Sequence, residues 1–279
     1  MKKARRNLAL LSALALAVVL SGCSSTSTVN ANSTGFWDHY IVWNFMRAIE
    51  ALSRVFGGSY GWGIVVFTVI VRIIILPLMA YQLKSARKTS ELQPQLKELQ
   101  KKYPGKDLES RQKLQQAQQE LYAKAGVNPV AGCLPLLVQM PVLFAMYQAI
   151  FRSETLKAGH FFWMELGDKD PYYIMPILAA VFTYLTSKLS MMSQPEQNAM
   201  TTSMTYVAPV MIFVTALNVP AALSLYWVIS NAFSVGQTLL INNPFKINKE
   251  REEKLALEKA QERKRKKAIK KALKGKRKK

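Results

Sequence analysis

The chain reads as an all-α integral membrane protein with five transmembrane helices, a polar cavity among them and a helical hairpin on the cytoplasmic side. Three observations lead there. Half of the 279 residues are hydrophobic, yet 38 Lys and Arg stand against 17 Asp and Glu, a net charge of +21. Apolar runs alternate with basic segments, as in membrane proteins with basic cytoplasmic loops and unlike a soluble nucleic-acid binder. Five apolar runs lie at about 61–83, 129–151, 171–190, 205–218 and 220–241. Finally, Arg72 sits in the middle of the first run, where a charge costs roughly 2.5–3.5 kcal/mol on insertion scales. About ten residues at 1.5 Å each separate it from Trp62 and about nine from Tyr81, so it cannot readily snorkel and calls for a polar cavity or a partner.

The N-terminus is read as a leader outside the fold. Lys2, Lys3, Arg5 and Arg6 precede an apolar stretch from Leu8 to Leu20, within signal-peptide length and short for a span. It ends in Leu20-Ser21-Gly22-Cys23, which resembles a bacterial lipoprotein box. Such a chain is cut before the cysteine, so residues 1–22 are the expected signal peptide and Cys23 the expected lipidation site. Cys133, in an apolar run, reads as a small buried hydrophobe. Residues 23–60 are then an anchor, a Ser/Thr/Asn tether and an amphipathic helix. That helix carries Trp37, Tyr40, Ile41, Phe45, Ile49, Leu52 and Phe56 at near-helical spacing. It is predicted to lie on the outer membrane surface.

The five runs make a core over 61–241. The first, second and last are long enough to span, the third is adequate, and the fourth is short, joined to the fifth by a tight turn at Asn218-Val219-Pro220. Basic residues orient them. Lys84–Gly126 has ten Lys/Arg and is assigned to the cytoplasm; the loop 152–170 holds only Arg152, Lys157 and Lys169 against four acidic residues and is assigned outside. The tail 242–279, with seventeen Lys/Arg, is cytoplasmic. A lipidated N-terminus outside and a tail inside require an odd number of spans. Within 84–126, Leu92, Leu96, Leu99 and Tyr103, a Pro104-Gly105 break, and then Leu114, Leu121 and Tyr122 predict an antiparallel helical hairpin. The like-charge blocks of the tail read as solvated and disordered, with anionic lipid and ribosomal RNA both physically suitable partners.

No catalytic set emerges. His39 and His160 have no Ser or Cys nucleophile pattern beside them, Glu165, Asp168 and Asp170 read as an ordinary acidic loop, and no Cys/His metal spacing occurs. The Gly57-Gly58-Ser59-Tyr60-Gly61 turn lacks the ending of a phosphate loop. Polar residues inside the spans carry more. Thr68 lies one turn before Arg72, Gln139 is near mid-depth in the second run, and Ser224, Trp227, Asn231, Ser234 and Thr238 recur at steps of three and four. In lipid such a stripe must turn toward other helices or water.

From Phe36 to Ile241 the chain resembles the YidC family of membrane protein insertases in its short Gram-positive form. The resemblance rests on Val71-Arg72, Gly126-Val127-Asn128-Pro129, Gly132-Cys133-Leu134-Pro135, Gln139-Met140-Pro141, Asp170-Pro171-Tyr172-Tyr173 and the Pro220–Trp227 segment. It implies five helices around a hydrophilic groove open to cytoplasm and lipid. Arg72, Gln139 and Trp227 would line it, and Thr68, Asn231 and Ser234 join them as the expected substrate groove. It implies a non-enzymatic insertase and chaperone without ATP or cofactor, acting on nascent membrane proteins. Further expected partners are the lipid bilayer and the ribosome, through the tail, with the Sec translocon a candidate and DNA excluded. The expected location is the bacterial plasma membrane. The competing readings are a small-anion or ion transporter binding its anion at Arg72, and a membrane anchor for RNA resting on the tail alone.

Overall fold

The computed structural model describes residues 28–105, 107–128, 134–195 and 199–276. The expected signal peptide, Cys23, Pro129 and the Gly132-Cys133 pair lie outside that set.

A π-helical turn, Trp37–Val42, runs directly into α1, Trp43–Val55. One face of this segment is built into the core. Its buried residues are Trp37, Val42, Met46, Ile49 and Ser53, whereas Tyr40 and Phe56 are exposed. The step of five from Trp37 to Val42 matches the i→i+5 repeat of a π turn, which shifts the buried stripe off the 3.6-residue period read from the sequence. This face packs on α2, Tyr60–Glu91. Gly63 permits the approach, since a Cβ there would lie 2.6 Å from the Ile49 carbonyl oxygen.

α2 is 32 residues long and does not stop where the apolar run does. Residues 84–91, expected in the hairpin, continue α2, because nothing in Lys84-Ser-Ala-Arg-Lys-Thr-Ser-Glu91 breaks it before Pro94. The hairpin itself is α3, Gln93–Lys102, and α4, Leu108–Lys124, the latter capped by Asp107, whose carboxylate accepts the Ser110 backbone N–H at 2.9 Å. Leu96 is buried, but α4 has no buried residue, so the pair is thinly packed.

α5, Leu134–Phe151, leads into a cap that the sequence reading treated as an acidic loop. It consists of a single turn, α6 (Glu154–Lys157), and an antiparallel pair of short strands, β1 (His160–Phe161) and β2 (Met164–Glu165), with Leu156, Phe161, Met164 and Leu166 buried. α7, Ile174–Met192, and α8, Ala199–Ala216, follow. α8 starts earlier than the fourth run does, at Ala199 instead of about 205. α9, Ala221–Ile241, packs against both α7 and α2; α8 leans mainly on α7 despite its tight turn into α9.

α10, Pro244–Lys276, corrects the expected disordered tail. Its Ala, Glu, Lys and Arg are strong helix formers, and i,i+4 pairs such as Glu262–Lys266 at 2.7 Å offset part of the like-charge repulsion. Its start is docked: Ile247 is buried, Asn248 donates to the Met192 carbonyl at 3.0 Å, and Arg251 donates to the Ser193 carbonyl at 3.1 Å. From Glu252 through Ile269 it is exposed. By length and hydropathy alone, Tyr60–Lys102 and Ile174–Met192 are long and apolar enough to cross a membrane, and Leu137–Phe151 and Thr201–Ala216 are shorter apolar helices. Pro77, Pro141 and Pro209 sit inside α2, α5 and α8, as membrane helices tolerate.

Candidate functional site

Five helices line a cavity of about 460 Å³ beside Arg72, α8 through Ile212 alone. α2 contributes Arg72, Met79 and Gln82; α5 contributes Gln139 and Leu143. α7 adds Thr183, Thr186 and Ser190, and α9 adds Trp227, Ser230, Asn231 and Ser234, with Gln237 and Thr238 one turn further. Arg72 is the one charged residue in this lining. Its Nε donates to Ser230 Oγ at 3.3 Å, and among the described residues no carboxylate reaches it. Gln139 donates to the hydroxyl of Tyr226, itself 2% exposed, so α5 is tied to α9 beside the arginine.

The hydroxyls of this wall are satisfied locally. Thr183, Thr186, Ser234 and Thr238 each donate to the carbonyl four residues back, at 2.7–2.9 Å, and the Asn231 amide donates to the Trp227 carbonyl at 2.9 Å. Such back-bonding leaves oxygen lone pairs facing the space without leaving donors orphaned in apolar surroundings.

The ends of the helices nearest the strand pair are held by backbone and side-chain bonds. The first amides of α9 are capped by loop backbone, Ala221 N–H to the Asp168 carbonyl at 2.6 Å and Ala222 N–H to the Leu166 carbonyl at 3.1 Å. Asp170 accepts from Trp163 Nε1 at 2.9 Å and from the Tyr172 and Met175 N–H groups at 3.1 and 2.7 Å. A buried bidentate pair, Arg152 to Asp38 at 2.9 and 2.8 Å, pins the π turn to the end of α5. Trp37 Nε1 adds a bond to Gln148 at 2.8 Å.

Of the residues expected in the groove, Arg72, Gln139, Trp227, Asn231 and Ser234 come together in this lining. Thr68 does not: it is 1% exposed and donates to the Ile64 carbonyl at 2.7 Å, a packed position below the cavity floor. The reading from sequence missed Ser230, Tyr226 and Gln82. Ser230 lies three residues from Trp227 and four from Ser234, so the spacing of the stripe already contained it. Tyr226 falls in the Pro220–Trp227 segment and Gln82 near the end of the first apolar run, with no groove role assigned to either. Among the described residues no cluster of His, Cys, Asp and Glu could hold a metal ion.

The comparisons agree with one another. Residues 51–250 match the family model described as the 60Kd inner membrane protein. A membrane protein insertase YidC of Pediococcus pentosaceus is 58% identical over 256 residues, 91% of each chain. One from Enterococcus faecalis is 55% identical over 94% of each chain. The membrane protein insertase MisCA of Bacillus subtilis is 44% identical over 88% of this chain and 94% of its own. Among solved structures, a crystal structure of an active YidC insertase with its first transmembrane domain resolved matches with TM-score 0.56 and 27% identity. That match covers 74% of this chain and 47% of the other, so this chain spans about half the length of that protein. With a family model over most of its length and relatives above half identity end to end, the chain belongs to the YidC family of membrane protein insertases.

Proposed function

We propose that the chain works as a membrane protein insertase whose groove is the cavity beside Arg72. In this reading α2, α5, α7, α8 and α9 are the five spans. The lipidated Cys23 and the strand cap face outward, and the α3–α4 hairpin and α10 face the cytoplasm. The observation that carries the reading is a cavity among apolar helices whose one charge, among the described residues, is an arginine that no carboxylate reaches. Such a charge attracts an acidic segment more strongly than it would in water, because the surrounding dielectric is low. The back-bonded hydroxyls and amides of α7 and α9 replace part of the hydration that a hydrophilic segment loses on entry.

A nascent membrane protein would meet the hairpin and the basic tail first, the tail also suiting a ribosome and the Sec translocon remaining a candidate partner. Its short hydrophilic end enters the groove while its apolar helix moves into lipid along α2 and α9. Burial of that helix supplies the driving force, with no nucleotide in the scheme. The insertase names borne by the relatives favour this over the small-anion transporter.

The test compares Arg72→Ala with Arg72→Lys in purified protein reconstituted into liposomes. The Ala variant abolishes insertion of single-span substrates with acidic tails, and the Lys variant keeps most of it. Wild-type insertion by the Ala variant at equal protein level defeats the electrostatic role.

A further inference from the structure

Gln82 is a polar side chain on the cavity wall that the scheme above does not use. It lies ten residues beyond Arg72 on α2, roughly 15 Å further along the helix axis and toward α3. It is 1% exposed, and among the described residues neither its Nε2 nor its Oε1 has a hydrogen-bond partner. A buried amide with both ends unmatched weakens a fold, and an apolar residue of equal length would serve packing better. The side chain has three torsions and no bond holding its amide, so it can turn into the cavity without breaking one.

The missing ligand must offer an acceptor and a donor side by side. A phosphate, a carboxylate or a lipid headgroup phosphate offers acceptors only and leaves Oε1 unmatched; the guanidinium of Arg72 already serves that chemistry. An extended main chain offers both, because the N–H and C=O of one residue point to the same side. We propose that Gln82 receives the main chain of the substrate's hydrophilic segment, its Nε2 donating to a peptide carbonyl and its Oε1 accepting a peptide N–H.

This assignment rests on the insertase reading and deepens it by dividing the groove into two tasks. Arg72 selects for charge in the passing segment. Gln82 reads the backbone that every segment carries, so it acts without regard to sequence and gives successive peptide groups a partner where water is scarce.

The experiment uses the full chain in liposomes with two single-span substrates that differ only in an acidic or an amide-neutralised tail. Gln82→Met keeps the length and removes both amide atoms. It should lower insertion of both substrates by the same factor, about three- to tenfold for the loss of one or two hydrogen bonds. Its thermal midpoint should equal or exceed that of the wild type. Insertion at the wild-type rate overturns the proposal, as does a loss confined to the acidic tail, which would place Gln82 under Arg72. A fall in the thermal midpoint alongside insertion also overturns it, because the role would then be structural. Failure of the wild type itself to insert either substrate instead defeats the insertase reading, which keeps the two failures apart.

Discussion

The two ends of α9 follow opposite rules. Each of the six residues from Ala221 to Tyr226 is buried, and the free amides of the first turn are capped by the loop backbone of Asp168 and Leu166. From Trp227 onward the same helix turns Ser230, Asn231 and Ser234 to an open space. α2 repeats the division. Gly61, Gly63, Ile64, Phe67 and Thr68 are buried before Arg72, and only Met79 and Gln82 are buried after it. The closest packing and the Arg152–Asp38 pair thus lie at the strand-capped end, and the ion pairs elsewhere, such as Arg87 with Glu91 and Glu250, are at exposed positions. A polar cavity between apolar helices can persist because a rigid block next to it fixes the helix positions.

If that division is correct, damage at the sealed end should register as lost stability, and damage at the open end as lost function. The largest effect is expected at Asp38. The Arg152 side chain is 2% exposed and its guanidinium is held by both Asp38 oxygens, so Asp38→Ala leaves a buried charge with part of its pairing gone. The expected cost is about 3–5 kcal/mol. Thermal or denaturant unfolding of the detergent-purified protein measures it. A double variant, Asp38→Leu with Arg152→Met, should recover most of the loss, since an apolar pair of similar volume replaces the charges. A single-variant loss below about 1 kcal/mol would mean that the cap does not carry the load assigned to it.

Filling the open end gives the opposite signature. Ser234 Oγ donates back to the Ser230 carbonyl, so its removal orphans no cavity group. Ser234→Leu narrows the space in front of Arg72 and should lower insertion of acidic-tailed substrates. Stability should stay within about 0.5 kcal/mol of the wild type. Equal insertion with an unchanged cavity would show that the α9 wall is not on the path of the substrate.

The same contrast explains what was legible in the sequence. The open end is written in types that should not occur in an apolar run, so Arg72, Gln139, Asn231 and Ser234 could be singled out by cost alone. The sealed end is written in ordinary apolar residues and short loops. Phe161, Met164 and Leu166 are unremarkable until a two-residue strand pair folds them over α2. Asp38, Arg152 and Asp170 resemble surface charges until their partners, as far as 114 residues apart, are known. The π turn was hidden for a related reason: a single extra residue per turn leaves the composition unchanged and alters only the phase, which displaced the buried face of α1. Thr68 shows the limit of reading by type. A threonine one turn from the arginine belonged to the same helical face, but a hydroxyl that bonds its own backbone packs as readily as it lines a cavity.

The smallest expected effect lies outside both ends, at the thinly packed hairpin, where stability rests on local capping instead of burial. Asp107 begins α4, and its pKa is lowered from the usual carboxylate range by the Ser110 backbone N–H, then by the Ser110 side chain, against a small opposing effect of desolvation. The lowered value means that the charged form is favoured when the helix is formed. The stabilisation is therefore complete above the ordinary carboxylate pKa of about 3.9 and disappears as pH falls through the lowered folded-state value. Amide hydrogen exchange at residues 108–111, corrected for its intrinsic pH dependence, should lose protection in that acid window while the amides of 221–226 keep theirs. Asp107→Ala should give the frayed exchange pattern at neutral pH, with no change in the thermal midpoint of the spanning core. If the Ala variant also loosened residues 221–226, the hairpin and the sealed end would be one cooperative unit, and the contrast between a well-packed block and a thinly packed attachment would fail.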